Sequence, residues 1–110
     1  MRKNIEATIL SSFLDADYYE GENEKVFELD EEVFSTEAFK YFARNINKYV
    51  KAKQPLSLLY EKLDEMMANT AYELDYVFMV GRMHLSMDVV TKYYNDLIVT
   101  HRKSLARSMA

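Results

Sequence analysis

Few side chains of this sequence have the types and spacing that catalysis or metal binding requires. Cysteine is absent, which excludes thiolate nucleophiles and Cys-based zinc or iron-sulfur sites. The two histidines, His84 and His101, lie 17 positions apart, and no third ligand stands at metal-binding spacing. We therefore expect His101 to be a half-buried residue on a helix stripe and His84 to be an exposed turn residue, rather than ligands or general bases.

Phosphate-binding and hydrolase motifs are also missing. The sequence contains no GxxxxGK[ST], GxGxxG, HExxH or GxSxG. Glu31 and Glu32 belong to an acidic run, which is more often solvated than catalytic. The stretch DADYYEG lacks the third ligand and the trailing glutamate of a calcium loop. We predict that this chain has no catalytic, cofactor-binding or metal-binding residues, needs no cofactor, and is not itself an enzyme.

Basic side chains form two patterns that could bind phosphate, a helix face in the middle of the chain and the basic tip THRKSLAR at residues 100–107. The helix face is the larger of the two. Four of its basic side chains repeat at helical spacing: Lys40, Arg44, Lys48 and Lys51. With Lys53 they give a charge of +5 over residues 39–54, typical of a phosphate or nucleic-acid contact. The alternative is a solvated helix face against which the acidic stretch lies. A formal net charge of −4 repels a polyanion, so we predict weak or no direct nucleic-acid binding.

Composition sets the fold class. The chain has 110 residues, which suits a single domain, with only two glycines and one proline. Sheet proteins need many tight turns built from Gly, Pro and Asn-Gly pairs, and no NG, DG or GG occurs here. The sequence therefore predicts an all-α protein, a compact bundle of about five to six helices.

Apolar periodicity and capping residues give the predicted helices: Lys3 to Ala16, Ser35 to Ala52, Leu58 to Ala68, Ala71 to Met83, and Met87 to about Ser108. Ser35, Ser57 and Ser86 are the expected caps. The helix from Ala71 is apolar on most sides, so it belongs in the middle of the bundle or at an interface.

An acidic stretch separates the first two predicted helices. Asp15 to Glu37 contains ten acidic residues against one base, Lys25. We expect a loop with one helical turn around Val26 to Leu29, held by the apolar side chains of Val26, Phe27 and Leu29.

The last helix carries an apolar stripe that runs almost to the end of the chain. Its length of about 20 residues corresponds to roughly 30 Å, more than the other helices, so its distal part should project. We predict a globular bundle over residues 1–100 and a projecting helix end over 101–110. The predicted partner-binding residues lie on the stripe: Tyr94, Ile98, His101, Leu105 and Met109.

Targeting and membrane signals are not found. Met1 to Phe13 has no continuous apolar h-region, and no apolar run approaches the roughly 20 residues that cross a bilayer. We predict a soluble, cytoplasmic protein that does not interact with membranes.

Several short motifs occur in an order that resembles the N-terminal domain of bacterial replicative helicases of the DnaB type. A first helix of the form E-x-x-[VI]-L-x-x-[LM]-L is represented by Glu6, Ile9, Leu10, Phe13 and Leu14. A Phe before a capped helix with a central Phe is matched by Phe34 and Phe42. A Pro-led helix with Leu repeats is matched by Pro55, Leu56, Ser57, Leu59 and Leu63. A Tyr-Tyr pair leading a long helix is matched by Tyr93, Tyr94, Ile98, Val99 and Arg107.

Three features depart from that family. Lys53 and Gln54 stand where a Gly commonly precedes the Pro, and Ala38 stands where His is common. The acidic stretch is longer than the usual short second helix. These departures keep open a divergent helicase domain and the C-terminal helicase-binding domain of DnaG-type bacterial primases, which is similar in fold.

The resemblance implies a non-catalytic interaction and oligomerisation domain of the DNA replication machinery. In the helicase family the last helix is the first arm of a helical hairpin that pairs with a neighbour, and the domains form a collar that docks primase or a loader. The implied partners are replication proteins and a second copy of this chain, bound through the C-terminal helix. An ATPase motor would lie on another part of the gene product. A small helical DNA-binding protein using the four basic residues is the alternative from a different class.

Overall fold

The computed structural model describes residues 2–109, and its regular secondary structure in this range is helical. Five α-helices are α1 (Arg2–Leu14), α2 (Glu37–Lys51), α3 (Leu56–Met67), α4 (Glu73–Val80) and α5 (Met87–Met109). Three short 3-10 helices, Ala16–Tyr18, Glu22–Lys25 and Glu31–Val33, lie in the acidic segment, our name for Asp15 to Glu37. Residues 2–109 contain no strand. The prediction of an all-α bundle with a long C-terminal helix is confirmed, whereas the second arm of a hairpin stays a prediction.

Helix α1 is the centre of the bundle. It packs against all four other α-helices, and Ile9, Leu10, Phe13 and Leu14 are completely buried. The predicted stripe is therefore a core stripe over most of its length. Ile5, at its start, is 37% exposed and lies at the surface.

Helix α2 supplies the aromatic part of the core. Its stripe of Phe39, Phe42, Ala43 and Ile46 is buried, as the spacing predicted. The rings of Phe39 and Phe42 have centroids 6.2 Å apart, and Phe42 meets Tyr76 of α4 edge to face at 6.1 Å. Such pairs stabilise the core beyond the area they bury, by about 0.5–1.5 kcal/mol each.

Helix α4 lies at the outside of the bundle, so a place in the middle is wrong, while the alternative place at an interface stays a prediction. Tyr76 and Met79 face inward, while Leu74 is 84% exposed and Val77 is 59% exposed. The Tyr76 hydroxyl donates a hydrogen bond of 2.6 Å to Asp64 on α3. Burial and this bond raise the pKa of Tyr76. An eight-residue helix covers α1 with one stripe and leaves its other apolar residues at the surface.

The first turns of α3 and α5 are capped by carboxylates from the acidic segment. Asp17 Oδ2 accepts the Ser57 amide at 2.9 Å, and Glu22 Oε2 accepts the Met87 amide. Amides in the first turn of a helix lack intrahelical partners, and a carboxylate there also interacts favourably with the helix dipole. These contacts span 40 and 65 residues of sequence, so local patterns could not reveal them.

Two of the predicted caps, Ser57 and Ser35, are wrong. Helix α3 begins at Leu56 with Pro55 before it, and Ser57 lies inside the helix. Helix α2 is capped by Thr36, whose hydroxyl accepts the Phe39 amide at 3.1 Å. Ser35 instead points back toward α1.

The partner of Ser35 is Glu6, a carboxylate with no solvent exposure. Glu6 accepts the Ser35 amide at 2.7 Å and the Ser35 hydroxyl at 3.0 Å. It also forms an ion pair of 2.9 Å with Arg2, which in turn donates to the Val33 carbonyl at 2.8 Å. Because every partner is hydrogen-bonded, the buried charge is compensated. The network joins α1, the Glu31–Val33 turn and the start of α2.

The segment Val26 to Asp30 is extended, so the predicted helical turn there is wrong. The amide and the carbonyl of Leu29 are both bound by the side-chain amide of Asn47, each at 2.7 Å. Leu29 is buried, and Val26 and Phe27 pack against the core as expected. Asn47 therefore satisfies the backbone groups that a local helical turn would have satisfied.

Replacing Glu6 tests this network. Glu6→Ala leaves the Ser35 amide and the Arg2 guanidinium without their acceptor, and we expect it to lower the free energy of unfolding by about 2–3 kcal/mol. Urea denaturation of the two proteins measures the difference. The exposed Glu24, in the acidic segment, is the matched control: Glu24→Ala should change stability by less than about 0.5 kcal/mol. Equal effects of the two substitutions would contradict a structural role for Glu6.

Candidate partner-binding surface

Helix α5 has a buried first half and an exposed second half. Met87, Val90, Tyr94 and Leu97 are the buried residues of this 23-residue helix. The hydroxyl of Tyr94 accepts the Asp30 amide at 2.7 Å, and burial raises its pKa. Tyr94 is thus a core residue that also holds the acidic segment. We had expected it to bind a partner, but the structure buries it.

The remaining predicted partner-binding residues follow Leu97. Ile98 and His101 are half-buried, as expected for His101, while Leu105 is 49% exposed and Met109 is 87% exposed. All residues from 102 to 109 are exposed. We call Ile98, His101, Leu105 and Met109 the α5 stripe. It continues the buried face of the helix beyond the body of the bundle.

The α5 stripe lies in a basic environment. From Leu97 to Met109 the helix contains Arg102, Lys103 and Arg107 and no acidic residue. Cations near a helix C-terminus interact favourably with its dipole, which helps this half to stay helical without packing contacts. The arrangement is an apolar strip flanked by positive charge.

The basic face of α2 meets the acidic segment, so the alternative given for the basic pattern is what the structure shows. Arg44 binds Glu31 through both Nε and Nη2, at 2.8–3.3 Å. Lys40 lies 3.7 Å from Glu32, and Lys51 lies 3.4 Å from Glu28. The order of the pairs is antiparallel, since the segment runs back along the helix.

These pairs change what the basic face can bind. The Arg44 guanidinium lowers the pKa of Glu31, so the carboxylate stays charged at neutral pH. Of the four predicted phosphate-contact residues, Lys48 is exposed and has no ion pair within the described chain, and the other three face carboxylates. A phosphate group would have to displace these carboxylates, which disfavours polyanion binding.

His84 is not an exposed turn residue, and that prediction is wrong. Its side chain is 10% exposed, and Nδ1 lies 2.5 Å from Asp15 Oδ1. Its ring stacks on Tyr19 with centroids 3.6 Å apart and planes within 6°. Burial raises the pKa of Asp15. His84 thus connects the turn before α5 to the end of α1. The two residues are 69 positions apart, so no local pattern indicates this contact.

Residues 2–109 include no group of three or more His, Asp or Glu side chains that could hold a metal ion. Within the same range, no helix combines the length and the apolar character that crossing a bilayer demands.

Comparison of the chain with protein-family models, curated proteins and solved structures found no match. The resemblance to the replicative helicase domain therefore rests on the motif residues alone.

A gel-shift experiment tests the pairing of the α2 basic face. We expect the intact chain to leave a DNA duplex unretarded even at about 50 mM salt, where phosphate contacts are strong. The variant Glu28→Gln/Glu31→Gln/Glu32→Gln removes the facing carboxylates and should bind DNA more strongly than the intact chain.

Salt dependence separates the outcomes. Retardation of DNA by the intact chain, lost steeply as salt rises and lost in Arg44→Gln, would contradict the masked face and favour the DNA-binding alternative.

Proposed function

We propose that the chain is a non-catalytic docking and oligomerisation domain of the DNA replication machinery, of the kind found at the N-terminus of DnaB-type helicases. The observation that carries the proposal is the exposed α5 stripe. A helix that keeps its apolar face beyond the body of its own domain offers that face to another protein.

The positions of the motif residues support this assignment. Glu6, Ile9, Leu10 and Phe13, which give the first motif, are all buried. The Glu of the motif joins α1 to the start of α2, and the apolar positions form the core. The motif therefore describes the packing of a helical bundle, and residues beyond Leu97 are left for interaction.

The C-terminal helicase-binding domain of a primase is the closest alternative, because the resemblance does not separate two domains of similar fold. Both are interaction domains of the same machinery without their own catalytic centre. A DNA-binding role has less support, since three of the four basic residues face carboxylates.

In either assignment the partners are replication proteins: primase or helicase, or a loader. The proposed self-association would use the α5 stripe. Positive charges on the distal half of α5 repel those of a second copy, so association of two stripes should strengthen with salt. The protein would act in the cytoplasm, without a cofactor.

Light scattering of the intact chain and of Leu105→Asp tests the proposal. We expect the intact chain to exceed its monomer mass of 13.0 kDa at high concentration and added salt. Leu105→Asp should stay at the monomer mass, because a charge replaces the centre of the stripe.

Leu74→Asp is the matched control, since Leu74 is exposed on α4 and lies outside the stripe. It should associate like the intact chain. An intact chain that stays monomeric at every concentration, with Leu105→Asp unchanged, would contradict self-association through α5.

A further inference from the structure

A second apolar surface lies between α1, α5 and the turn that precedes α5. One depression of about 280 Å³ is lined by Asn4, Ile5, Thr8, Met83, Leu85 and Tyr93. It adjoins another of about 340 Å³ lined by Arg2, Ile5, Tyr93, Asp96, Leu97 and Thr100. Ile5 and Tyr93 line both, so the two depressions are neighbours, and together we call them the α1/α5 groove.

Three apolar side chains that line the groove are exposed to solvent. Met83 is 71% exposed, Tyr93 is 41% exposed and Ile5 is 37% exposed. These side chains come from three different elements, and the fold holds them side by side. Scattered apolar residues at a surface are ordinary, whereas a concave cluster of them is typical of an interaction site.

Positive charge lies at both ends of the groove. At one end, the guanidinium of Arg82 lies over the Phe78 ring and donates to Asn4 Oδ1 at 2.9 Å. Arg82 has no carboxylate partner among the residues that the structure describes. The other polar partner of its guanidinium is the Phe78 carbonyl, to which Nε donates at 3.2 Å, so no carboxylate of the described residues neutralises its charge.

At the other end, α5 continues the same face with basic residues. Positions 93, 100, 103 and 107 share one face of a helix, so Lys103 and Arg107 follow Tyr93 and Thr100 beyond the bundle. Arg2 also lines this end, although its charge is matched by the buried Glu6. Asp96 is the one acidic residue in the lining, between the two basic ends.

This face differs from the α5 stripe. Leu105 and Met109 follow Ile98 and His101, which continue the core side of the helix, whereas Tyr93 and Thr100 face the groove. The two surfaces therefore allow a partner in the groove while the stripe is occupied.

We propose that the α1/α5 groove is a docking site for an acidic amphipathic helix of another protein. The inference rests on the proposed docking function and specifies where a partner binds and what chemistry it has. Apolar side chains of the partner would contact Ile5, Met83 and Tyr93, and its carboxylates would face Arg82, Lys103 and Arg107. Helix-in-groove recognition of this kind uses apolar anchors at i, i+3, i+4 and i+7.

Charge argues against the projecting helix end of a second copy as the occupant. This helix end contains three basic residues and no acid from Leu97 to Met109. That end would bring like charges to Arg82, Lys103 and Arg107, which suppresses such pairing. An acidic helix gains attraction at the same three positions.

Selection from a displayed library tests the proposal. The library consists of random peptides of about 18 residues with a helical pattern, long enough to cover the roughly 21 Å of α5 from Tyr93 to Arg107. Selected on the intact chain, the binders should share an apolar stripe and a net negative charge.

Variants then locate the binding site. Met83→Asp and the pair Lys103→Glu/Arg107→Glu should each weaken the selected peptides by about tenfold, measured by fluorescence anisotropy. Leu74→Asp, an equal change at an exposed apolar residue on α4, should not. Thermal unfolding monitored by circular dichroism confirms that each variant is folded.

Three results would overturn the proposal: no enriched peptide, binders that are neutral or basic, or binding that Met83→Asp leaves unchanged. If Met83→Asp instead prevents self-association in light scattering and no peptide is enriched, a second copy fills the groove and the proposal is wrong. If no acidic peptide binds the groove but the chain still self-associates through Leu105, the groove proposal is wrong and the proposed function is not contradicted.

Discussion

The buried carboxylate of Glu6 fixes how the first helix, the acidic segment and α2 meet. Three hydrogen-bonding groups converge on it, from Arg2 and from the amide and hydroxyl of Ser35. Two further carboxylates also accept backbone amides, since Asp17 caps α3 and Glu22 caps α5. A small bundle with short helices depends on such contacts, because amides at helix ends are costly to leave unpaired when buried.

The acidic segment is therefore a structural part of the bundle rather than a solvated loop. Its carboxylates cap helices and pair with Lys40, Arg44 and Lys51 on α2, and its apolar residues pack against the core. This arrangement lowers the positive potential of α2 and leaves the distal half of α5 as an unpaired basic surface.

Local patterns in the sequence predicted most of the fold. The stripes Ile9/Phe13 and Phe39/Phe42/Ile46 are buried where helical spacing placed them. Most of the errors share one physical cause, which is contact between residues far apart in the chain. Four features each depend on a partner 18 or more residues away, or on competition with such a partner. They are the cap of α2, the cap of α3, the extended stretch before Asp30 and the burial of His84. The α1/α5 groove was missed for the same reason, since Ile5, Met83 and Tyr93 come from separate elements.

The proposed docking role depends most on the division of α5 into a packed half and a free half. Hydrogen-deuterium exchange of the dilute chain, resolved residue by residue, measures this division directly. We predict slow exchange for amides from Val90 to Ile98, which lie in the packed half, and fast exchange for those from Arg102 to Met109, where tertiary contacts no longer hold the helix. Equal protection of both halves in the dilute monomer would show that the chain covers its own C-terminal helix, and would contradict a docking role for that surface.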